Sequence, residues 1–183
     1  MASTALRNLK QRLEEVDEII SARDAICPPG RGRPQARQGA AVLAGGTVLL
    51  AAVFEGYVED LFDASVDLLF ADVDLEDRKE LKRNTSRRNN NASVQQVNAL
   101  FFYLGMPWVM QSPYMRWGKF SNAVVRERLD TLSKARNKIV HGVRYRVQKR
   151  SLVAWRRLIE RLAEQLDNLT GQHIAERTSL RPW

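Results

Sequence analysis

Apolar residues recur along this chain at three- and four-residue steps in a series of separate stretches, and the coarse reading is all helical. Leu6, Leu9, Leu13, Val16 and Ile20 predict a first helix, which the prolines after Cys27 must end. The longest helix is predicted from about residue 39 to 70, apolar all round at first and then amphipathic through Phe54, Val58, Leu61 and Phe62. A short helix over 75–83 leads into the run 84–91, a polar loop by its Asn, Ser and Arg content. Ser93 and Gln96 have the spacing of a capping box, opening a helix through Val94, Val97, Phe101 and Leu104 that Gly105 and Pro107 close. Leu152, Trp155, Ile159, Leu162, Leu166 and Leu169 predict a last helix whose seam packs in the core or pairs two chains.

The stretch 121–141 is the most informative. It holds no Gly or Pro, and Val125, Leu129, Leu132, Ile139 and Val140 fall at about 340, 20, 320, 300 and 40° around a helix when Arg136 is set at zero. Arg136 is therefore expected in the middle of the buried stripe, where a permanent cation needs a carboxylate or a phosphate. Asn137 and His141 fall on its flank, one turn apart, and Gly142 ends the helix. Glu55, between Phe54 and Val58 on an apolar face, is the acid expected to hold Arg136, either as a buried structural ion pair or as a support that keeps the guanidinium ready for phosphate. His141 has a purely structural reading as well, as a cation at a helix C-terminus.

Composition narrows the picture. A chain of 183 residues with 44% hydrophobic content buries one sizeable core, so a single domain is expected: an N-terminal helix over 1–25, a core over about 40–169 and a tail over 170–183 in which His173 is solvent exposed and irrelevant. One cysteine excludes an internal disulfide and, with two histidines, leaves no zinc cluster, so no metal site is expected. No cleavable signal is read at the start of the chain, and the uncharged run 39–54 is shorter than the roughly 20 residues that span hydrocarbon. It is read as a core helix, with no membrane partner.

Charge is uneven. Residues 1–77 hold 7 basic against 14 acidic side chains, whereas residues 78–161 hold 20 against 4 and include the Arg136 motif. A surplus of that size attracts a polyanion and makes binding fall with added salt; ordinary solvated helix faces are the alternative. The basic loop at Arg31, Arg33 and Arg37 lies outside that half.

Arg136 and His141 at Arg-x4-His spacing, with Asn137 after the one and Gly142 after the other, resemble the signature of HEPN domains, many of which are metal-independent ribonucleases. The segment Phe54, Glu55, Gly56, Tyr57, Val58, Glu59, Asp60 and Leu61 is similar to the acidic second helix of that family, particularly its RiboL-PSP-type and related stand-alone prokaryotic branches. The resemblance spans about residues 40–169 and implies an all-α bundle of about five to six helices. It implies Arg136 and His141 as the catalytic pair with Asn137 as a polar helper, in a site shared by two chains across a two-fold axis.

Histidine suits proton transfer at a 2′-hydroxyl or a leaving 5′-oxygen, and the planar arginine fork suits two phosphate oxygens. The expected activity is thus a cofactor-free, cytoplasmic endoribonuclease leaving 2′,3′-cyclic phosphate ends, acting as a toxin or antiviral effector, with an antitoxin or regulatory protein as a further partner. Arg87, Arg88, Lys134, Lys138 and Arg144 are the expected RNA contacts. One branch of the family carries a modifiable tyrosine two residues past the histidine; here that position is Val143 and Tyr145 lies two further on, so that regulation is not expected. Two other readings stand beside cleavage: a HEPN-like module that binds RNA, a nucleotide or a protein without cutting, and a helical dimerisation domain.

Overall fold

The computed structural model describes residues 2–26, 39–86 and 93–183, with the side chain of Ser86 left aside. Six α-helices make up the described residues: α1 (Thr4–Ile26), α2 (Ala40–Leu69), α3 (Leu75–Ser86), α4 (Val94–Phe102), α5 (Asn122–Val140) and α6 (Lys149–Thr178). A single 3-10 turn, Val109–Gln111, sits between α4 and α5. The architecture is all-α, as the periodicity predicts.

α2 is the axis of the bundle. It packs against α1, α5 and α6, and its Phe54, Val58, Leu61, Phe62 and Val66 are all buried. Burial of a phenylalanine such as Phe54 or Phe62 contributes on the order of 1.5–3 kcal/mol each. α2 is long and apolar enough to cross a membrane, and 50% of its most apolar stretch is buried inside the fold. Gly46 lets three helices converge: a Cβ there would lie 2.8 Å from Ile19 Cγ2 of α1 and 2.9 Å from Leu152 Cδ2 of α6. Tyr57 is buried among them and donates from its hydroxyl to the Ala163 carbonyl at 2.7 Å.

The start of α1 is fastened to α6. The Ser3 hydroxyl donates to Asp167 and accepts from the Leu6 N–H at 3.0 Å, so one side chain caps α1 and satisfies a carboxylate that is only 1% exposed.

Three expectations need correction here. The tail over 170–183 is largely helix, because α6 continues to Thr178 and buries Thr170 and Ile174. His173 lies within it, half-buried, bonded through Nε2 to the Leu104 carbonyl at 2.8 Å. The polar composition of that stretch concealed an amphipathic face. α3 likewise runs on to Ser86, into the stretch read as loop. At the α4 N-terminus Ser93 accepts from the Gln96 N–H, but the Gln96 side chain meets the Ser93 hydroxyl rather than its N–H, and Asp130 of α5 accepts from the Val94 N–H at 3.3 Å. That last bond ties α4 to α5.

Candidate active site

α5 carries the arginine–histidine motif, and its two ends are built differently. Ser121 opens it, its hydroxyl accepting from the Val124 N–H. At the other end the Gly142 N–H donates to Ile139 at 3.1 Å and the Val143 N–H to Lys138 at 2.8 Å, a Schellman closure that requires a left-handed residue. Gly142 supplies it with φ 71°. The closure fixes His141 as the C-cap, directly after the last helical residue Val140.

The structure corrects the placement of Arg136. Val125, Leu129 and Leu132 are buried, but Ile139 and Arg136 are only half-buried and Val140 is 51% exposed. The apolar stripe runs past the end of the core, so its last turn faces outward. His141 is exposed beside Val140, and so is Val143.

The expected ion pair between Arg136 and Glu55 is not formed as direct contact either. Nη1 of Arg136 donates to Oδ1 of Asn137 at 3.2 Å. Glu55 is close enough for its charge to be felt: burial pushes its carboxyl above the ordinary range and the Arg136 guanidinium pulls it back. Glu55, Glu59 and Asp63 follow one another at four-residue steps along one face of α2. Glu59 is also raised, by burial and then by Glu55, Asp63 and Asp60; Asp63 is raised by burial against the pull of Lys82. Of these half-buried carboxyls, Glu55 is the one whose charge is coupled to the arginine.

Lys134, Lys138 and Arg144, expected to touch RNA, are all exposed around the motif, and the Lys138 ammonium lies 5.2 Å from the Tyr145 ring centroid. Arg87 and Arg88 fall outside the described residues, as do Cys27, Arg31, Arg33 and Arg37. Among the described residues no three His, Cys, Asp or Glu side chains group so as to hold a metal ion.

A groove of about 670 Å³ that the sequence reading missed opens beside the motif, between α4, the 3-10 turn and α5. Asp130, Ser133, Lys134 and Asn137 line its α5 side, and Trp108, directly before the 3-10 turn, lines it as well. A larger hollow of about 760 Å³ lies away from the motif, where α1 begins; it is lined by Asp60, Asp63 and Asp67 as well as Arg7, a lining that repels a polyanion. The only sequence signal for the groove was a tryptophan directly after Pro107 in a short irregular segment.

An all-α bundle with an arginine, an asparagine and a histidine on the closing turns of one helix defines a HEPN-type domain. The family model for RiboL-PSP-HEPN matches residues 7–172, and the chain belongs to that family. The match takes in most of α1 as well as the span expected from the motifs. HEPN domains are generally of the ribonuclease type, so the family points to a nuclease or RNA-related class of function. No curated protein and no solved structure matches it.

Proposed function

We propose that the protein is a metal-independent endoribonuclease whose working groups are Arg136, Asn137 and His141. The observation that carries this reading is their arrangement in a chain of this family. Arg136 and Asn137 are joined by a hydrogen bond, His141 is fixed by the Schellman closure one turn on, and all three stand beside exposed cations.

In this reading a 2′-hydroxyl attacks the adjacent phosphorus and the bond to the 5′-oxygen breaks. One imidazole takes the 2′ proton and a second gives a proton to the leaving oxygen, so the products are a 2′,3′-cyclic phosphate and a 5′-hydroxyl. Arg136 stabilises the charge on the non-bridging oxygens. Two imidazoles imply two chains, and exposed Val140 and Val143 beside His141 offer an apolar patch for a second copy to cover. Glu55 stands behind as the positioning carboxylate. Unregulated RNA cleavage harms a cell, which supports a cytoplasmic toxin or antiviral effector held in check by a partner protein.

A second reading, an RNA-binding module without cleavage, draws on the exposure of His141 at a helix C-terminus, where a cation has a structural role. Cleavage of a long RNA in excess EDTA, comparing wild type with His141→Ala, decides between them. The ribonuclease reading predicts a roughly 10²–10⁴-fold loss of rate in the variant. RNA that is bound but left intact by the wild type supports the second reading.

A further inference from the structure

We propose that the groove beside the motif binds an unpaired RNA base stacked on Trp108, and so sets which single-stranded segment reaches Arg136. The inference rests on the ribonuclease reading for its biological sense, but its geometry stands apart from it.

Trp108 is 68% exposed, and Phe102, with which it lines a smaller apolar hollow next to the groove, 65%. Two large aromatic side chains left in water beside each other need a reason. Trp108 is also held at φ 58°, ψ 35°, a left-handed conformation that costs a non-glycine residue on the order of 1 kcal/mol.

The surrounding bonds keep it there. Asn98, itself buried, accepts from the Met110 N–H at 2.9 Å and donates to Gln111 at 2.9 Å, pinning the 3-10 turn to α4. Asn122 donates to the carbonyls of Met110 and Ser112 at 2.8 and 3.0 Å, pinning the same turn to α5. An indole presented on so constrained a support is a preorganised platform rather than a loose side chain.

The chemistry of the groove selects the occupant. Trp108 and Phe102, with Gln95, Asn98 and Ala99, line a mostly apolar hollow of about 220 Å³, suited to a ring. The walls of the adjoining groove carry the carboxamides of Gln95, Gln96 and Gln111, which both donate and accept, as base edges require. A protein helix would ask for aliphatic pockets, and the lining offers few. The α5 side carries Asp130, Ser133, Lys134 and Asn137; Asp130 accepts from the Val94 N–H at 3.3 Å, and Lys134 and Asn137 lead a backbone from a base on Trp108 toward the arginine motif. Bases within a duplex cannot reach such a platform, and single-stranded ones can.

The test uses His141→Ala protein, chosen to slow any cleavage during the measurement, and fluorescence anisotropy of a labelled single-stranded oligoribonucleotide and of a duplex of the same composition. Adding Trp108→Gly, a residue suited to the left-handed backbone, should leave melting and helical content unchanged and weaken single-strand binding roughly 10-fold. Trp108→Phe should restore most of the affinity, and duplex binding should not move. Equal single-strand affinity with and without the indole overturns the proposal. So does a Trp108→Gly variant whose loss of binding accompanies a change from dimer to monomer in sedimentation, which assigns the surface to a protein contact. A wild type that binds through Trp108 yet never cleaves defeats the ribonuclease reading alone; one that cleaves while Trp108→Gly binds normally defeats this inference alone.

Discussion

Arg136 donates to the side chain of its own neighbour, Asn137, at 3.2 Å, rather than to the carboxylate of Glu55. A neutral acceptor orients the guanidinium without cancelling its charge, whereas a direct ion pair would neutralise the group meant for phosphate. Asn137→Asp should therefore lower cleavage more than Asn137→Ala, because the new carboxylate would compete with the substrate for the same fork. Arg136→Lys keeps the charge and loses the fork, with an expected loss of about 10²-fold or more. Single-turnover rates at saturating RNA check both. Asn137→Asp cutting as fast as wild type would remove the asparagine from the account.

Val140 and Val143 flank His141 at 51% and 53% exposure. If they lie in a two-fold contact that completes the site, Val140→Lys with Val143→Lys should yield a folded monomer with little activity per chain. Folding should survive, since exposed substitutions of this kind shift stability by roughly 0.5 kcal/mol or less. Sedimentation, the helical spectrum and the cleavage rate are the measurements. A monomer as active per chain as wild type would show that one motif suffices.

The Ser3–Asp167 contact predicts a purely structural effect. Ser3→Ala removes a helix cap and leaves a buried carboxylate short of a donor, about 2–4 kcal/mol together. The melting temperature should fall by roughly 4–16 °C while the cleavage rate below the transition stays as it was. An unaltered melting curve would mean that the N-terminus contributes nothing to the bundle.

Glu59 predicts a pH dependence. Burial first, and then Glu55, Asp63 and Asp60, hold its carboxyl above the ordinary carboxylate range. The folded chain binds this proton more tightly than the unfolded one. Its contribution to stability is therefore fully present below the unfolded value and lost as pH rises through the higher folded value. Glu59→Gln should raise the melting temperature at about pH 7 by roughly 1–2 °C, a modest gain because the group is partly screened by solvent. The gain should vanish near pH 3. A benefit that persists in acid would point to packing rather than charge.

The helices were legible wherever an apolar face repeated strongly, as in α1, α2 and the first part of α6, because burial along a helix imposes that period whatever surrounds it. The motif was legible too, since Gly142 marks the helix end and the four-residue step sets Asn137 and His141 one turn apart, with Arg136 directly before Asn137. Where α5 outruns the core was not legible: Val140 has the spacing of a buried residue, and only the extent of the neighbouring helices shows that nothing covers it. The same holds for His173, whose partner Leu104 is 69 residues away, and for Asn137, which took the bond expected of Glu55. Trp108 was missed because its role comes from a left-handed turn pinned by Asn98 and Asn122, and no periodicity encodes that.

The chemical identity of the ends is the most direct test of the central claim that Arg136 and His141 direct a 2′-hydroxyl attack. Wild-type protein and a defined single-stranded RNA are incubated in excess EDTA, and the fragments are resolved by mass spectrometry. The account predicts 2′,3′-cyclic phosphate on every upstream fragment and 5′-hydroxyl on every downstream one, both absent with His141→Ala. Upstream fragments ending in 3′-hydroxyl, or cleavage that appears only when Mg²⁺ is restored, would contradict it.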